Sequence, residues 1–271
     1  MTKKRLPQRL WLLDIVVRVL RQPALSRTET RVLKMSSQTV NDIVIIDEIE
    51  DCPYLAGQTA RMPLRLPVIP ISPSEADSRL AEGHRRTGEF IYQTRCPDCV
   101  ACKPIRLDCN RFKLSRSQRR ALQRGDQEFE LEIGPAKASQ QRVDLFNKHR
   151  QLRGLANVDA KIDIEEYSWG FVRSCFTSFE LSYWVADRLV GIAICDQGQN
   201  SLSAVYTFYD PELNQHSIGT YSILKQIEYC RINDLQHLYL GYYINHSPHM
   251  NYKARFRPNE RLIDGQWLPF D

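Results

Sequence analysis

Three apolar stretches in the second half of the chain decide the fold: Leu181-Ser-Tyr-Trp-Val185, Leu189-Val-Gly-Ile-Ala-Ile-Cys195 and Ser201-Leu-Ser-Ala-Val-Tyr-Thr-Phe-Tyr209. They are rich in β-branched and aromatic residues, which favour strands. Polar turn residues separate them, at Asp187-Arg188 and at residues 196–200. The pattern therefore predicts three consecutive antiparallel strands joined by hairpin turns.

A helix and a further strand follow these hairpins. Apolar residues recur at helical spacing between about Ser217 and Asn233, and residues 237–243 have the composition of a strand. An antiparallel meander, then a helix, then a strand is the order of the GNAT acyltransferase fold. We therefore expect an α+β protein with a GNAT-like fold. Such an analogy concerns the fold alone and does not name a substrate.

The net charge of +5 on this 271-residue chain is unevenly distributed. Residues 1–34 hold nine Lys and Arg against two Asp and Glu, which leaves 28 cations and 30 anions in the rest. The body of the protein is therefore not globally basic. Local patches must hold any polyanionic partner.

The N-terminal segment contains an apolar run, Leu10–Leu20, between basic flanks. Asp14 and Arg18 interrupt the run, so it is too short and too charged to span a bilayer. No convincing signal-peptide cleavage site follows it, and we expect a cytoplasmic protein that does not bind membranes. Residues 1–34 fit an amphipathic surface helix, an organelle presequence or an upstream start codon. We favour the last, with Met35 as the start and residues 1–34 as an extra segment, disordered or not translated.

The remaining sequence divides into a cysteine-containing subdomain at 36–140 and the GNAT-like domain at 141–271. In the first part we expect a strand near 43–49, an extended proline-rich segment at 63–73, a helix at 74–82 and a strand at 90–92. Residues 148–153 and 167–179 have apolar spacing typical of helices.

Four of the eight cysteines form a candidate metal site. Three lie in Cys96-Pro-Asp-Cys99-Val-Ala-Cys102, and Cys52 lies upstream of them. Four thiolates at such spacing can hold zinc or an iron–sulfur cluster in a tetrahedral site. A site of this kind is structural rather than catalytic, because it leaves no open coordination position. The alternative is a group of packed or redox-sensitive thiols.

Two further segments concentrate positive charge. Residues 111–124 carry six cations and no acid, and Ser115 can cap a helix that places Arg116, Arg120 and Arg124 on one face. In Met250-Asn-Tyr-Lys-Ala-Arg-Phe-Arg-Pro258, three cations alternate with apolar or aromatic residues. An extended conformation would turn one face of that segment basic, which suits an anionic ligand or a charged strand edge.

The sequence contains no glycine-rich phosphate loop, no His-Glu-x-x-His motif and no Gly-x-Ser-x-Gly motif. Catalysis by a cysteine nucleophile has no local support, because no cysteine has a recognisable nucleophile context. A CoA-dependent N-acetyltransferase is also disfavoured, since no pyrophosphate-binding loop precedes the helix at Ser217. A zinc-ribbon module that binds nucleic acid without catalysis stays open as an alternative.

The ordered motifs together resemble the aminoacyl-tRNA–protein transferases of the N-degron pathway, and the bacterial form more than the eukaryotic one. The resemblance covers about residues 50–267. The blocks that carry it include Cys52-Pro-Tyr-Leu-Ala-Gly-Gln-Thr-Ala-Arg61, Gly83-His-Arg-Arg-Thr-Gly88, Cys96–Cys102, Ser115–Arg119, Leu202–Pro211, Gly219-Thr220, Gln226–Tyr229, Leu238–Ile244, Met250–Pro258 and Leu262–Trp267. Position 55 is Leu where the eukaryotic form has a second cysteine, which weakens the expectation of an iron–sulfur cluster.

The resemblance implies transfer of leucine from Leu-tRNA to the α-amine of proteins that begin with Asp or Glu, with transfer of arginine as the alternative. No cofactor is required for this reaction. Its implied catalytic residues are Tyr206, Asp210, Tyr242 and Lys253. The residues implied to bind the acidic acceptor are Arg85 and Arg86, expected on a glycine-bounded turn, with Arg255 and Arg257. Those implied to hold tRNA are Arg116, Arg119, Arg120, Arg124, Gly219 and Thr220.

Overall fold

The computed structural model describes residues 42–155 and 161–271, apart from the side chains of residues 214–216. The expectation about residues 1–34 falls outside these ranges. No helix within them is long and apolar enough to cross a membrane.

Six short strands build the N-terminal part of the described chain. Four of them form an antiparallel sheet in the order β1-β4-β6-β5, and β2 pairs separately with β3. Their bounds are β1 Asp42–Ile46, β2 Ile49–Asp51, β3 Thr59–Arg61, β4 Leu64–Pro67, β5 Arg85–Thr87 and β6 Phe90–Tyr92. Between β4 and β5 lies helix α1, Pro73–Ala81, whose first turn is capped by the Ser72 hydroxyl.

Among the described residues, eight strands form one large mixed sheet in the order β14-β13-β7-β12-β11-β10-β9-β8. Their bounds are β7 Lys103–Asp108, β8 Glu130–Gly134, β9 Thr177–Val185, β10 Arg188–Gln197, β11 Ser201–Tyr209, β12 His237–Tyr243, β13 Asn259–Ile263 and β14 Gln266–Phe270. Neighbouring strands are antiparallel except β11 and β12, which are parallel. Strands β7 and β8 belong to this sheet although both precede residue 141.

Helices cover both faces of the large sheet. On one face, α2 (Arg116–Glu128) and α5 (Ile218–Ile232) enclose the larger apolar core with Ile105, Leu107 and Tyr183. On the other, α3 (Gln140–Leu152), α4 (Ile164–Tyr167) and the π-helical turn Ser168–Val172 pack an aromatic cluster around Phe146. Two 3₁₀ segments, Pro211–His216 and Asn251–Arg255, complete the described elements.

Helices α2 and α5 pack closely because α2 carries a glycine at their contact. A side chain at Gly125 would overlap the Tyr221 ring, with its Cβ only 2.2 Å from Cδ2. Ser115 and Gln118 form a reciprocal capping box at the start of α2. The helix is therefore fixed at its first turn and along its buried side, which leaves its basic side outward.

The structure confirms the three consecutive strands, helix α5 and the strand that follows it. The helix predicted at 74–82 and the Ser115 cap are also confirmed. The helix predicted at 167–179 is wrong beyond residue 172, because residues 177–185 pair with β10 and β8. The extended conformation predicted for 250–258 is wrong as well. Residues 251–255 form a 3₁₀ turn that buries Lys253.

Candidate active site

The parallel strands β11 and β12 separate along their length, and this split creates the candidate site. They pair only at Ser201–His237, Leu202–Leu238 and Ser203–Tyr239. Beyond Ser203, β11 continues beside β10, whereas β12 continues beside β7 with an irregularity between Tyr239 and Gly241. Gly241 has a φ of +86°, a conformation that strains any residue with a Cβ. The local bend in β12 thus opens the sheet.

A cavity of about 660 Å³ occupies the split, and we call it the reaction cavity. Residues 204–207 and Tyr209 of β11 form one wall, and residues 240–242 of β12 form the other. The rest of the lining comes from the first turns of α2 and α5, the C-terminal end of α3 with its following turn, the segment 248–256, and Tyr54, Arg85 and Tyr92 of the N-terminal part. The site is therefore built mainly on regular elements rather than on loops, which suits precise positioning of reactants.

Arg85 lies where β11 and β12 part. Its guanidinium donates from Nη1 to Ser203 Oγ at 2.8 Å and from Nη2 to Ala204 O at 2.6 Å. Ser203 belongs to the last pair between β11 and β12, and Ala204 is the next residue of β11. The guanidinium therefore occupies the position where strand pairing stops, and Arg85 as a residue is 8% exposed.

Lys253 holds the opposite edge of the split. Its ammonium donates to Tyr242 O at 2.7 Å, and the residue is buried. A Cβ built at Gly241 would lie 3.4 Å from both Lys253 Nζ and Arg85 Nη2. Two cations thus converge on the same point of β12. The 3₁₀ turn makes this possible, because it directs Lys253 inward while Arg255 stays exposed on the cavity rim.

The charge of the reaction cavity is positive. Its described lining includes four cations, Arg85, Arg153, Lys253 and Arg255, and no Asp or Glu. Much of the rest is apolar or aromatic, with Leu155, Ile223, Leu240, Met250 and Phe256 among it. Cations in a partly apolar cavity attract anions more strongly than cations in water do. The arrangement can bind a carboxylate or phosphate and stabilise an oxyanion.

The start of α5, with Gly219 and Thr220, faces the cavity. Ser217 precedes the helix with a left-handed φ of 52° and makes no side-chain cap there. Both Gly219 and Thr220 line the cavity, and the Tyr209 ring packs against Gly219. The backbone N–H groups and positive dipole end of such a helix start suit an anionic group.

Tyr206 and Tyr242 also line the cavity, from the two separated strands. Tyr242 is buried and donates its hydroxyl to Gly83 O at 3.3 Å. Burial raises the pKa of Tyr242 far above its usual value. Its hydroxyl is therefore suited to donating a hydrogen bond and not to acting as a base.

Three of the residues predicted to catalyse the reaction or to bind the acceptor do not line the cavity. Arg86 forms a buried ion pair with Asp196 on the opposite side of β5, with Nε 2.7 Å from Oδ2. Asp210 is 3.0 Å from Lys148 Nζ and accepts from the Glu212 amide, so it holds the turn after β11. Arg257 is exposed and donates to Ala254 O and Asp271 O. The predicted glycine-bounded turn at 83–88 is in fact the start of the hairpin β5–β6.

The arginines predicted to hold tRNA are all exposed on α2, at positions 116, 119, 120 and 124. They do not line the cavity, whereas Ser115, Ser117, Gln118 and Ala121 of the same helix do. One helix thus presents its first turn to the cavity and its basic face to solvent.

Three of the four predicted metal-binding cysteines pack behind the cavity wall. Cys52, Cys96 and Cys102 contact the cluster that contains Tyr242 and Met250. Burial and the neighbouring thiols of Cys52, Cys96 and Cys99 raise the pKa of Cys102 to about 12. The thiols are thus near one another, yet the described residues contain no group of three or more ligating side chains arranged to hold a metal ion. The metal site stays a prediction, and no chemical step is assigned to it.

Sequence reasoning missed several cavity residues. His149 and Arg153 come from the end of α3, Tyr54 and Tyr92 from the N-terminal part, and Tyr252 from the 3₁₀ turn. The His149 ring lies 4.8 Å from the Tyr209 ring, centroid to centroid, and its Nδ1 is 2.8 Å from Tyr209 O. No local motif marks His149, Arg153 or Tyr92, whereas Tyr54 and Tyr252 lie in motifs that carry the family resemblance but were not singled out within them.

Two family models cover most of the chain. The N-terminal model of arginine-tRNA-protein transferase matches residues 50–120, and its C-terminal model matches residues 141–263. The chain belongs to the arginine-tRNA-protein transferase family, a class of enzymes that transfer aminoacyl groups.

Similar proteins agree with this assignment. An aspartate/glutamate leucyltransferase of Acinetobacter baumannii is 36% identical over 218 residues, covering 80% of each chain. The enzyme of that name from Thiobacillus denitrificans is 35% identical over 217 residues, covering 80% of this chain and 90% of its own. The structure of L-PGS from Bacillus licheniformis shares 10% identity at a TM-score of 0.40, covering 58% of this chain and 52% of its own. That score does not establish a shared fold.

Proposed function

We propose that this protein transfers leucine from Leu-tRNA to the N-terminal amine of proteins that begin with Asp or Glu. The observation that carries the proposal is a reaction cavity whose described lining contains four cations and no carboxylate. An acidic acceptor residue needs cations, and a leucyl side chain needs apolar surface. The relatives named aspartate/glutamate leucyltransferase support the same choice.

The lining of the reaction cavity also indicates which amino acid the donor tRNA carries. An arginyl side chain inside the cavity would lie near Arg85 and Lys253 without a carboxylate among the described lining residues. Burial of such an unpaired charge beside like charges is costly. A leucyl side chain instead meets Ile223, Leu240 and Phe256. We therefore propose leucine over arginine as the donated residue.

The reaction is the aminolysis of an ester. The acceptor α-amine attacks the carbonyl carbon of the aminoacyl group, so that a C–N bond forms and the bond to the ribose oxygen breaks. A proton passes from the amine to that oxygen. Because the ester is already activated, no covalent enzyme intermediate is needed, and the site must orient the reactants and stabilise the oxyanion.

We assign these tasks to residues that converge in the split. Lys253 and Arg85 lie close to Gly241, where they can stabilise a developing oxyanion or pair with the acceptor carboxylate. Arg255, on the rim, can pair with the acceptor as well. Tyr206 and Tyr242 line the two walls and orient the groups that react. Arg86, Arg257 and Asp210 take no part, because other groups already hold them outside the cavity.

The tRNA lies across the basic face of α2. Arg116, Arg119, Arg120 and Arg124 hold its phosphates, and the start of α5 at Gly219-Thr220 receives the charged 3′ end. This division places the nonspecific electrostatic attraction outside the cavity. Since charged tRNA is the donor, we also propose a cytoplasmic location.

The split between β11 and β12 supports a GNAT-like fold, in which the acyl donor would enter between separated parallel strands. The cysteine-bearing segments then form a subdomain that supports the Tyr242 wall. Zinc, if bound by Cys52, Cys96, Cys99 and Cys102, would stabilise that wall and supply no step of the reaction.

Transfer assays test the function directly. The full chain is incubated with Leu-tRNA or Arg-tRNA carrying a radiolabelled amino acid, and with otherwise identical acceptors that begin with Asp, Glu or Ala. We expect incorporation of leucine into the Asp and Glu acceptors only. Arginine incorporated at a higher rate than leucine would overturn the donor assignment, and label from neither tRNA would overturn the transferase function.

A further inference from the structure

A second cavity, of about 380 Å³, lies apart from the reaction cavity on the N-terminal sheet, and we call it the arginine cavity. Its lining contains four arginines: Arg61, Arg65, Arg79 and Arg95. Asp42, Asp47, Pro63, His84 and Gln93 complete it. None of these residues lines the reaction cavity.

Neighbouring residues at one end of the β5–β6 strand pair line the two cavities. Arg85 and Tyr92 are cross-strand partners of β5 and β6, and both line the reaction cavity. Their chain neighbours His84 and Gln93 line the arginine cavity, with His84 Nδ1 3.2 Å from Gln93 Nε2. Adjacent residues at this end of the β5–β6 pair therefore line different cavities.

Two of the four arginines are paired with carboxylates. Arg79 donates to Asp42 at 2.5 and 2.9 Å and also to Glu75, and its side chain is 13% exposed. Arg61 donates to both oxygens of Asp47 at 2.6 Å. These bidentate pairs cancel the charges and fix the geometry of the wall.

The other two arginines have no carboxylate partner among the residues that the structure describes. Neither Arg65 nor Arg95 forms an ion pair within the described ranges, and Arg95 donates from Nη2 to the neutral amide oxygen of Gln93. The pKa of the Asp47 carboxyl is lowered mainly by its hydrogen bond with Arg61, and the charge of Arg65 lowers it further without forming an ion pair. The cavity therefore has two guanidinium groups in excess over its carboxylates.

His84 lines the same cavity and is uncharged near neutral pH, so it does not neutralise the two excess guanidinium groups. Burial and the charge of Arg79 lower the pKa of His84 to about 4, so the ring is neutral near pH 7. Glu82 approaches it at 3.6 Å, but that carboxylate is 64% exposed and does not line the cavity. A small anion can thus enter without meeting an unpaired carboxylate among the described lining residues.

We propose that the arginine cavity binds a phosphate group, held by Arg65 and Arg95 within a wall fixed by the Arg61–Asp47 and Arg79–Asp42 pairs. Guanidinium groups match phosphate oxygens in geometry and charge. The source of the phosphate is either an RNA backbone or a free phosphate compound. The site itself does not depend on the proposed transfer reaction.

The test titrates inorganic phosphate into the ¹⁵N-labelled full chain and follows the arginine Nε–Hε signals by NMR. We expect saturable shifts at Arg65 and Arg95 in the millimolar range, and none at Arg173 or Arg188, which line neither cavity. The double variant Arg65→Gln/Arg95→Gln should raise the phosphate Kd about tenfold, whereas Arg173→Gln/Arg188→Gln should leave it within about twofold. Both variants remove two charges, so a general electrostatic effect would change both equally.

Charge-preserving variants control for the possibility that the Gln double variant binds phosphate weakly because it misfolds. Arg65→Lys/Arg95→Lys should keep the phosphate Kd within about fivefold of wild type. Absence of saturable shifts, or equal Kd values in wild type and the Gln variant, overturns the proposal. Uncharged tRNA then separates the two sources. If Arg65→Gln/Arg95→Gln weakens tRNA binding, the phosphate belongs to RNA, and if it does not, the site takes a free phosphate compound.

Discussion

The reaction cavity and the arginine cavity both concentrate cations, but they hold them differently. In the reaction cavity, Arg85 and Lys253 donate to a hydroxyl and to backbone carbonyls, which are neutral. In the arginine cavity, Arg61 and Arg79 donate to carboxylates. A neutral acceptor orients a cation without cancelling its charge, whereas a carboxylate does both. Arg85 and Lys253 therefore keep a net positive charge that can act on a bound reactant. The charges of Arg61 and Arg79 are neutralised by carboxylates, and these ion pairs stabilise the cavity wall.

The largest effect should follow removal of a cation held by neutral acceptors. Arg85→Met keeps the aliphatic stem but deletes the guanidinium at the split. We expect kcat/KM for leucyl transfer to fall by about 10²- to 10³-fold, or about 3 to 4 kcal/mol, because charge stabilisation is lost in a site of low dielectric. Arg85→Lys should recover part of the loss. An unchanged kcat/KM in Arg85→Met would contradict the proposal that the Arg85 charge contributes to the reaction.

The pH dependence of the free energy of unfolding tests whether the fold holds His84, in the arginine cavity, in its neutral form. Burial and the charge of Arg79 lower the pKa of His84 to about 4 in the folded protein, against an ordinary histidine pKa of 6.5. Above pH 6.5 both states are neutral at this residue. As the pH falls toward 4, only the unfolded state binds the proton, so the free energy of unfolding decreases by about 3 kcal/mol.

This contribution is measured as a difference between two proteins. Urea unfolding of wild type and His84→Gln at pH 7.5, 6, 5 and 4 isolates the term that belongs to His84. The wild type should lose stability relative to His84→Gln across that range. Parallel curves for the two proteins would show that His84 is not held neutral by the fold.

The carboxylate-paired arginines should matter for stability more than for activity. Asp42→Asn leaves Arg79, whose side chain is 13% exposed, with Glu75 as its described carboxylate partner. We expect the free energy of unfolding to fall by about 2 kcal/mol, measured by urea unfolding, with kcat unchanged for leucyl transfer. The surface change Asp144→Asn serves as a control, and it should alter stability by less than about 0.5 kcal/mol. A lower kcat in Asp42→Asn would contradict this prediction and would show that the arginine cavity affects the reaction cavity.

Local sequence patterns predicted the elements of the site better than the site itself. Runs of β-branched and aromatic residues between turn residues predicted β9 to β11, and Ser115 marked the start of α2. Arg86 and Arg85 are adjacent and equivalent by local pattern, yet Arg86 pairs with Asp196, 110 residues away. Only the folded sheet decides which arginine faces the cavity. The alternation at 250–258 misled for the same reason, since the Lys253 bond to Tyr242 O favours a tight turn over an extended strand.

The smallest effect concerns the exposed arginines of α2, which belong to neither cavity. Removing three of them with Arg116→Gln, Arg120→Gln and Arg124→Gln should weaken tRNA binding about tenfold at moderate salt and lower the slope of log K against log salt by about 2. The rate at saturating Leu-tRNA should not change, because these side chains do not line the reaction cavity. Three exposed cations elsewhere, changed by Lys137→Gln, Arg173→Gln and Arg188→Gln, provide a control of equal charge. If both triple variants lower the slope equally, tRNA responds to net charge and not to the α2 face. If the saturated rate also falls, the basic face of α2 helps to position the charged 3′ end, and the separation between binding surface and reaction cavity is wrong.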